Sequence, residues 1–520
     1  MAIVINGTTS GVSLKTDTSN IGLGANAVDS ITTGDYNVGV GDNALTSTTS
    51  GEYNAALGHS ALGQNTASFN TAVGSLAGSN ITSGGYNTII GAAAGDAITT
   101  GANNVANGAY ALTENTTGGD NVAIGRVALG ANTTGNGNTA IGYACLDANT
   151  TADSNTGVGK HCLTTNTTGN ENVAVGRGAM YNNTTGSDNT ALGYSALDNN
   201  TTAANNTAVG HSALKANTTG ANNVAVGYNT LGSNTTADNN TAMGYGALDT
   251  NTTGSSNTAI GMVALTDNTT GIENVAIGRL ALNNNTTASY NTAVGRAAME
   301  FNTTGANNTA VGKNSLVSNT TGIQNVSIGD GAGQNHTTGE KNVFIGREAG
   351  KTITTGGQNV IIGSQAGGTE TTSSYMLWVA RDDSQAHNAA VWIYGNSGGA
   401  CYQGNNSSSW STSSDERIKK DIVDSPNGLA KIDALQVRNF NYRTPEEITA
   451  EGITGCDATG LQTGVIAQEI EAVLPKAVTE NESGLKQVNT DPIFWAMVKA
   501  IQELSAKNTA LEARITTLEG

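Results

Sequence analysis

A 17-residue unit that repeats 21 times constrains the fold of this chain more than any other feature. The unit reads approximately N-T-A-V-G-x-x-A-L-x-x-N-T-T-G-x-x, and a Gly follows each leading Asn by four residues, from Gly24 to Gly363. A short fixed period indicates stacked coils that share one core. We therefore predict a β-solenoid over residues 20–367. The leading Asn stands at Asn20, Asn37, Asn54 and Asn70, and then at every seventeenth residue to Asn359.

Each position of the unit has an expected structural role. N-T-A-V is typical of a short strand whose first and third residues share one face. We expect the Val or Ile to stack inside the coil, and the small Ala to let the other face approach an identical neighbour. The Gly suits a corner with an unusual φ. N-T-T-G predicts the return bend, with Asn and Gly in left-handed geometry. Stacking then gives ladders of Asn and Thr.

The Ala-Leu run of the unit offers one larger interior side chain per coil, as at Leu163 and Leu282. With about 4.8 Å between coils, the 21 units predict a shaft of roughly 100 Å. Four modest apolar side chains per coil oppose about 1–2 kcal/mol of backbone entropy per residue, so we expect a homo-oligomer. Cys145 and Cys162 lie 17 residues apart, which allows a redox pair. We predict instead that they pack in one interior column.

Composition excludes several classes of function. The net charge of −18 opposes nucleic-acid binding, which needs Lys and Arg to neutralise phosphates. Four Cys without a C-x-x-C motif and five scattered His predict no metal and no cofactor. No segment approaches the roughly 20 apolar residues of a membrane span, so we expect no membrane insertion. The N-terminal residues do not have the pattern of a secretory signal, and we expect assembly in the cytoplasm of the host.

The strand motifs NVAIG, at 121–125 and 274–278, and NTAVG resemble the head repeats of trimeric autotransporter adhesins. This resemblance covers residues 20–367. It implies a trimer of left-handed parallel β-rolls, although the repeat here is longer than in those heads.

Residues 368–413 have a different composition, with large alternating apolar residues at 375–380 and 389–394. These segments predict strands, and hence a small β connector or distal tip. Its aromatic side chains are candidates for stacking on a sugar receptor, and packing between subunits is the alternative role for most of them. They are Tyr375, Trp378, Trp392, Tyr394, Tyr402 and Trp410.

The block S-S-D-E-R-I-K-K at 413–420 is, on its pattern alone, typical of a helix start with a Ser cap. Together with the segments 428–443 and 463–475, it resembles the intramolecular chaperone auto-processing domain of phage tailspikes and tail fibres, the endosialidase type. The resemblance covers residues 414–520. Some members of that family stay uncut, so cleavage and retention of the domain are both open.

The resemblance implies a single-turnover serine endopeptidase that acts on its own chain and on no external substrate. Ser414 would attack the carbonyl of Ser413, and the bond between Ser413 and Ser414 would break. Lys419 would be the general base, which requires a pKa lowered by burial.

The last segment, about 491–519, predicts a coiled-coil helix with alternating three- and four-residue spacing. Ile and Leu at its core positions by themselves favour a dimer, whereas the two resemblances imply a trimer. The core positions follow Phe494 and Met497 and comprise the expected trimerisation residues Ile501, Leu504, Asn508, Leu511, Ile515 and Leu518.

These features together predict a bacteriophage tail fibre that forms part of the virion. Residues 1–19 are the expected attachment segment for phage tail or baseplate proteins, and the distal region would contact a host surface glycan or protein receptor. One alternative is a trimeric bacterial surface adhesin. The other is a glycan-degrading tailspike, which needs a converging pair of carboxylates; the Asp and Glu residues of the repeats form no recurring pair.

Overall fold

The computed structural model describes residues 12–15, 19–367, 371–380, 391–395, 401–403, 422, 423, 425, 428–443, 447, 460–480 and 485–520. The chain divides into two compact units, residues 1–410 and 411–520. Each is described separately below.

The first unit is a parallel β-solenoid with one short strand in each of its 21 coils. Consecutive strands pair in parallel and in register, so that Thr156 lies opposite Val173 and Val158 opposite Val175. The prediction of a solenoid of 17-residue coils is therefore confirmed. In chain order the strands β2–β22 are Asn20–Leu23, Val38–Val40, Ala55–Leu57, Thr71–Val73, Thr88–Ile90, Val105–Asn107, Val122–Ile124, Thr139–Ile141, Thr156–Val158, Val173–Val175, Thr190–Leu192, Thr207–Val209, Val224–Val226, Thr241–Met243, Thr258–Ile260, Val275–Ile277, Thr292–Val294, Thr309–Val311, Val326–Ile328, Val343–Ile345 and Val360–Ile362.

The sheet extends beyond the repeats at both ends. β1 (Val12–Lys15) pairs antiparallel with β2. At the other end β23 (Leu377–Ala380) continues the parallel stack, and β24 (Val391–Gly395) and β25 (Cys401–Gln403) follow as antiparallel strands. The segments with alternating large apolar residues therefore contain strands, as predicted.

The part of the coil interior that lies against the strand is lined by small residues. The middle residue of the strand points inward, so that Ala140 and Ala276 are fully buried, together with Leu163 and Leu282 of the Ala-Leu runs. The expectation that Val and Ile stack inside was wrong. A coil of only 17 residues already encloses a Leu and two polar side chains, and the room left beside the strand is that of a methyl group.

The Gly after each strand forms a corner with φ between +125° at Gly41 and +150° at Gly108. A Cβ added at Gly278 would lie 2.6 Å from the carbonyl oxygen of Gly295 in the next coil, which explains why no other residue stands there. The left-handed geometry expected for N-T-T-G is absent from the shaft coils, residues 20–367. That bend is closed instead by its Asn side chain, as where Asn115 Nδ2 donates to Gly118 O at 2.9 Å.

Two columns of buried Asn side chains run along the interior. One contains all the leading Asn residues, and the other contains the Asn of each N-T-T-G from Asn115 to Asn319. Thr side chains bridge coils as well, as where Thr133 Oγ1 donates to Thr150 O at 3.0 Å. The predicted Asn and Thr ladders are confirmed, and they satisfy polar groups that a narrow coil cannot expose to water.

Cys145 and Cys162 occupy one interior column as free, buried cysteines. Their Sγ atoms lie 2.7 Å apart. The hydrogen bond between the two thiols and their burial raise the pKa of Cys145, which keeps it protonated and unreactive. The packing role predicted for this pair is confirmed.

The second unit combines helices with two small antiparallel sheets. Its apolar core contains Ile470, Leu474, Ala477 and Ala496. In chain order its elements are α1 (Gly428–Ala434), β26 (Arg438–Phe440), β27 (Gln462–Gly464), α2 (Ala467–Val473), a 3₁₀ helix (Pro475–Ala477), β28 (Val478–Glu480), β29 (Lys486–Val488) and α3 (Thr490–Glu519).

Helix α3 begins where the sequence predicts. The side chain of Asn489 caps it by accepting a hydrogen bond from Asp491 N at 3.0 Å. Across the described ranges, no helix combines the length and apolar character needed to cross a membrane.

Candidate functional site

The outer surface of the β2–β22 sheet, here called the strand face, is an apolar stripe. In β3–β22 the first and third residues of each strand point outward, as do Ile21 and Leu23 of β2, and their side chains stay partly or largely exposed. Contiguous apolar surface of this extent marks an interaction site. Its exposed large side chains include Ile21, Val38, Leu57, Val73, Ile90, Ile124, Ile141, Val173, Leu192, Met243, Ile277, Val311, Ile328, Ile345 and Ile362.

Two columns of exposed residues border the strand face. The leading corner is the residue immediately before each leading Asn, and the trailing corner is the residue immediately after each corner Gly. Of the ten Lys and Arg residues in 20–367, Lys341 stands in the leading corner, and Lys215 and Lys351 lie outside both corners. The other seven stand in the trailing corner: Arg126, Lys160, Arg177, Arg279, Arg296, Lys313 and Arg347.

Aromatic side chains stack from coil to coil in both corners. In the leading corner the rings of Tyr36, Tyr53, Phe69 and Tyr86 form one row, with centroids 4.9 to 5.1 Å apart. Sequence reasoning missed these rows, although the 17-residue spacing of the aromatic residues carried the signal. The trailing corner holds a second stacked row, formed by Tyr194, His211, Tyr228 and Tyr245.

A shallow depression of about 220 Å³ lies beside the second row, where Arg177 stands over the ring of Tyr194 at 5.7 Å. His161, Tyr181 and Asp198 also line it. Burial raises the pKa of Asp198, and the positive charge of Lys215 and a hydrogen bond from Ser195 oppose that shift. The depression contains a carboxylate, a guanidinium and aromatic rings, but it has no enclosed volume.

The predicted receptor residues have different environments. Tyr375 and Trp392 are 57% and 59% exposed, so both can contact a ligand. Trp378 is only 3% exposed and packs edge-on against Tyr394, with 6.0 Å between ring centroids. Trp378 is thus packed inside its own chain. The side chain of Tyr402 and the whole of Trp410 lie outside the described residues.

The coiled-coil positions of α3 are exposed in the single chain. The trimerisation residues predicted from the heptads, from Ile501 to Leu518, all face solvent. An apolar groove of about 210 Å³ continues this seam between α1 and α3. Its lining residues are Leu429, Ile432, Met497, Ala500, Ile501 and Leu504.

Helix α1 is held against α3 by a carboxylate. Glu503 accepts hydrogen bonds from the main-chain nitrogens of Gly428 and Leu429, at 2.9 and 2.8 Å. These two bonds lower the pKa of Glu503. The side of the groove that α1 contributes is thus fixed by α3 itself.

An ion pair joins β26 to α2. Arg438 donates to both carboxylate oxygens of Glu469, with the shortest distance 2.8 Å. The hydrogen bond and the charge of Arg438 lower the pKa of Glu469. This pair holds β26, the strand that follows α1, against α2.

The residues predicted to carry self-cleavage, Ser414 and Lys419, lie outside the described residues, as does Ser413. Within the part of the chain that is described, no three His, Cys, Asp or Glu side chains are grouped so that they could hold a metal ion.

Comparison with known families gives a match for residues 414–479, to the family described as the chaperone of endosialidase, Peptidase_S74. The match begins at the residue predicted to be the nucleophile. The chain therefore combines a parallel β-solenoid with a C-terminal chaperone-of-endosialidase domain. This architecture fits proteins of the tail-fibre or tailspike type.

Proposed function

We propose that this protein is a structural tail fibre of a bacteriophage, a homotrimer whose shaft carries a receptor-binding region to the host surface. The observation that carries the proposal is the strand face. Its apolar side chains run along the whole solenoid and remain exposed in one copy. Association of parallel copies through this face would bury the stripe along its full length.

The C-terminal domain provides the starting point for that association. Solenoids built from near-identical coils can pair in many registers, and contacts between distant residues form slowly. The exposed seam of α3 and the apolar groove against α1 offer a separate contact surface that sets the register before the shaft closes. Three chains are expected from the adhesin and chaperone resemblances, since the heptads by themselves favour two.

Self-cleavage would follow folding. In this scheme Ser414 attacks the carbonyl of Ser413, Lys419 accepts the hydroxyl proton, and residues 414–520 are released. The shaft left behind would have lost the part that directed its assembly. It could not refold easily once opened, and its persistence would depend on a slow unfolding rate.

Receptor contact is proposed for the residues that follow the shaft, with Tyr375 and Trp392 as the exposed aromatic side chains. Residues 1–19 would attach to phage tail or baseplate proteins. Binding of the purified fibre to host cells tests this assignment. Trp392→Ala should reduce binding, whereas Tyr290→Ala, at an exposed aromatic of the shaft, should leave it unchanged.

The mass of the expressed protein tests the proposal as a whole. Under denaturing conditions we expect fragments of residues 1–413 and 414–520 in place of the 52.4 kDa chain. Ser414→Ala should leave the chain intact, and Ser413→Ala, which keeps the attacked carbonyl, should still be cut. Under native conditions the cut fibre should have three times the mass of the 1–413 fragment, and the Ser414→Ala protein three times the mass of the whole chain. A monomer would contradict the fibre proposal, and an uncut trimer would contradict only self-cleavage.

A further inference from the structure

The two corners of the strand face carry opposite charge. In residues 20–367 the trailing corner holds seven basic and two acidic residues, the latter being Asp42 and Asp330. The leading corner holds four acidic residues and one basic residue, Lys341. Because the chain as a whole is strongly acidic, this concentration of bases in one column sets the trailing corner apart. The acids of the leading corner are Asp120, Glu171, Asp188 and Glu273.

Like charges are stacked within each corner. Lys160 and Arg177 are neighbours in the trailing corner, and Glu171 and Asp188 are neighbours in the leading corner. Adjacent coils are about 4.8 Å apart, so these side chains repel one another in a single copy. All four are exposed, and within the described shaft none of them forms an ion pair. An opposite charge supplied from outside the chain would relieve the repulsion.

Three coils place an acid and an Arg at the two ends of the same strand. They read D-N-V-A-I-G-R at 120–126, E-N-V-A-V-G-R at 171–177 and E-N-V-A-I-G-R at 273–279. Six residues separate the two charges, which allows a separation of up to about 20 Å across the strand face. The two members of each pair are therefore directed to opposite edges of the same apolar surface.

The symmetry of parallel copies brings these edges together. When identical copies surround an axis parallel to the shaft, with their strand faces toward it, the leading corner of one copy meets the trailing corner of the next. This holds for two copies or for three. We propose that the acids of the leading corner pair with the bases of the trailing corner of a second copy, and that these pairs set the axial register of the shaft.

This inference rests on the proposed parallel homo-oligomer and adds the contacts that align it. Buried apolar side chains alone would tolerate a shift by one coil or by several, because consecutive strands present nearly the same residues. The charge pattern differs from coil to coil, and three opposite-charge contacts form in only two alignments. These are the same register, with pairs 120/126, 171/177 and 273/279, and a shift of one coil, with pairs 171/160, 188/177 and 341/330; every other shift forms fewer. The partner is a second copy of this chain in the same or an adjacent coil register.

Charge reversal in the full-length protein tests the inference. One variant replaces the three Arg with acid, Arg126→Glu, Arg177→Glu and Arg279→Glu. A second replaces the three acids with Arg, Asp120→Arg, Glu171→Arg and Glu273→Arg. A third carries all six changes and restores opposite charges at the two corners. The control carries Glu114→Arg and Lys215→Glu, two exposed residues outside the corners.

The first and second variants should each recover about tenfold less assembled protein than wild type after refolding at low salt, because like charges then face each other at the two corners. About 1 M salt should reduce that loss by screening. The third variant and the control should assemble like wild type. The second variant lowers the net charge from −18 to −12, since three acids become three bases. Its loss therefore cannot come from general repulsion between copies.

Cross-linking identifies the contact without disturbing so many charges. Glu171→Cys combined with Arg177→Cys, treated with a short bis-maleimide, should give covalent multimers on a denaturing gel. Glu171→Cys combined with Arg279→Cys, which lie six coils apart, should not. Cys145 and Cys162 are buried, and both are present in every variant together with Cys401 and Cys456. The wild-type protein shows whether these four native cysteines react.

Two results would overturn the inference while leaving the fibre proposal intact. One is that the first two variants assemble as well as the wild-type protein at low salt, while the protein with Glu171→Cys and Arg177→Cys gives no cross-linked multimers. The other is a first variant that assembles normally but no longer binds a heparin column to which the wild-type protein binds. That result would place the basic side chains of the trailing corner in solvent. A wild-type protein that is monomeric by sedimentation would instead reject the fibre proposal on which the inference rests.

Discussion

The side-chain nitrogen of Asn172 lies 3.1 Å from Oδ1 of Asn155, one coil earlier in the shaft. The same nitrogen donates to Gly186 O at 2.9 Å, and Oδ1 of Asn172 accepts from the main-chain nitrogen of Asn189 at 3.1 Å. One fully buried amide thus connects three consecutive coils. The ladder satisfies polar atoms that have no access to water.

Replacing this amide should open the shaft locally. Asn172→Ala leaves the buried main-chain nitrogen of Asn189 without its acceptor, which costs about 1–3 kcal/mol. It also removes one donor each from Asn155 Oδ1 and Gly186 O, which keep the main-chain nitrogen of residue 172 and Asn183 Nδ2 as donors. We expect amide hydrogen exchange in residues 155–189 to accelerate at least about 100-fold, the equivalent of 2.8 kcal/mol. Thr168→Ala, an exposed position in the preceding coil, is the control and should leave exchange unchanged. Equal protection in both variants would show that the ladder contributes little.

The corner glycines give a second prediction. Gly278 has φ +127°, and any Cβ there would contact the carbonyl of Gly295. Gly278→Ala should destabilise its coil by about 3 kcal/mol, from backbone strain together with the steric contact. Gly119→Ala is the matched control, because Ala102 already occupies the same position one coil earlier. Thermal unfolding of the assembled protein should separate the two, and a normal transition for Gly278→Ala would contradict the assigned corner geometry.

Interior positions vary together where the repeat departs from its usual residues. Gly78 and Ile81 replace the usual Leu and Asn of their coil, and Gly95 and Ile98 do so in the next. A Cβ at Gly78 would lie 2.9 Å from Ile81 Cδ1. The side chain of Ile81 therefore fills the space that the Leu side chain occupies in other coils. The interior volume of the coil is conserved while the positions of its large and small residues are exchanged.

This exchange predicts a compensating double mutant. Gly78→Leu alone should clash with Ile81, and overpacking of this kind costs about 1–3 kcal/mol. Ile81→Asn alone should leave an underpacked coil and cost a similar amount. The combination restores the usual residues and should return stability to within about 1 kcal/mol of wild type. Denaturant unfolding of the three variants measures the coupling, and additive losses would exclude compensation.

The repeat period predicted most of the shaft, because a parallel stack needs only that equivalent residues lie one above another. It gave the coil length, the Gly corner, the Asn and Thr ladders and the Cys column. Alternation alone could not show which face of the strand points into the coil, since Ala140 and Ile141 are both apolar. The narrow interior decides that Ala faces inward, and this depends on the side chains of the rest of the coil.

The C-terminal unit was less accessible to sequence reasoning. The heptad spacing predicted α3 and its exposed seam, because helical period is a local property. The groove between α1 and α3 could not be predicted, since it depends on Glu503 reaching main-chain nitrogens 74 and 75 residues earlier in the chain. The proposed roles of Ser414 and Lys419 come from motif resemblance, and they remain predictions.

One coil interrupts the second Asn column with a histidine. His336 is buried where the repeat usually has Asn, and its Nε2 lies 2.9 Å from Gly339 O. In other coils the equivalent Oδ1 accepts a hydrogen bond from the Asn side chain of the next coil. Oδ1 of Asn319, which is followed by His336, has no hydrogen-bond partner. Phe344 packs edge-on against the imidazole, with 5.5 Å between ring centroids. The neighbours of His336 thus include no carboxylate to stabilise a positive charge.

Acid should therefore weaken this coil more than its neighbours. Burial lowers the pKa of His336 below its usual 6.5, and the hydrogen bond with Gly339 opposes that shift. The unfolded coil takes up a proton at a higher pH than the folded coil does. The contribution of neutral His336 to stability is therefore fully present above about pH 6.5. It falls below that pH, by up to about 1.4 kcal/mol per pH unit, until the folded pKa is reached.

Hydrogen exchange over residues 325–353, corrected for intrinsic rates, should accelerate between pH 7 and pH 5. His336→Asn should remove that acceleration and supply a donor to Asn319, whereas His211→Asn, at an exposed position, should leave it unchanged. Acid sensitivity that persists in His336→Asn would assign the effect to another group.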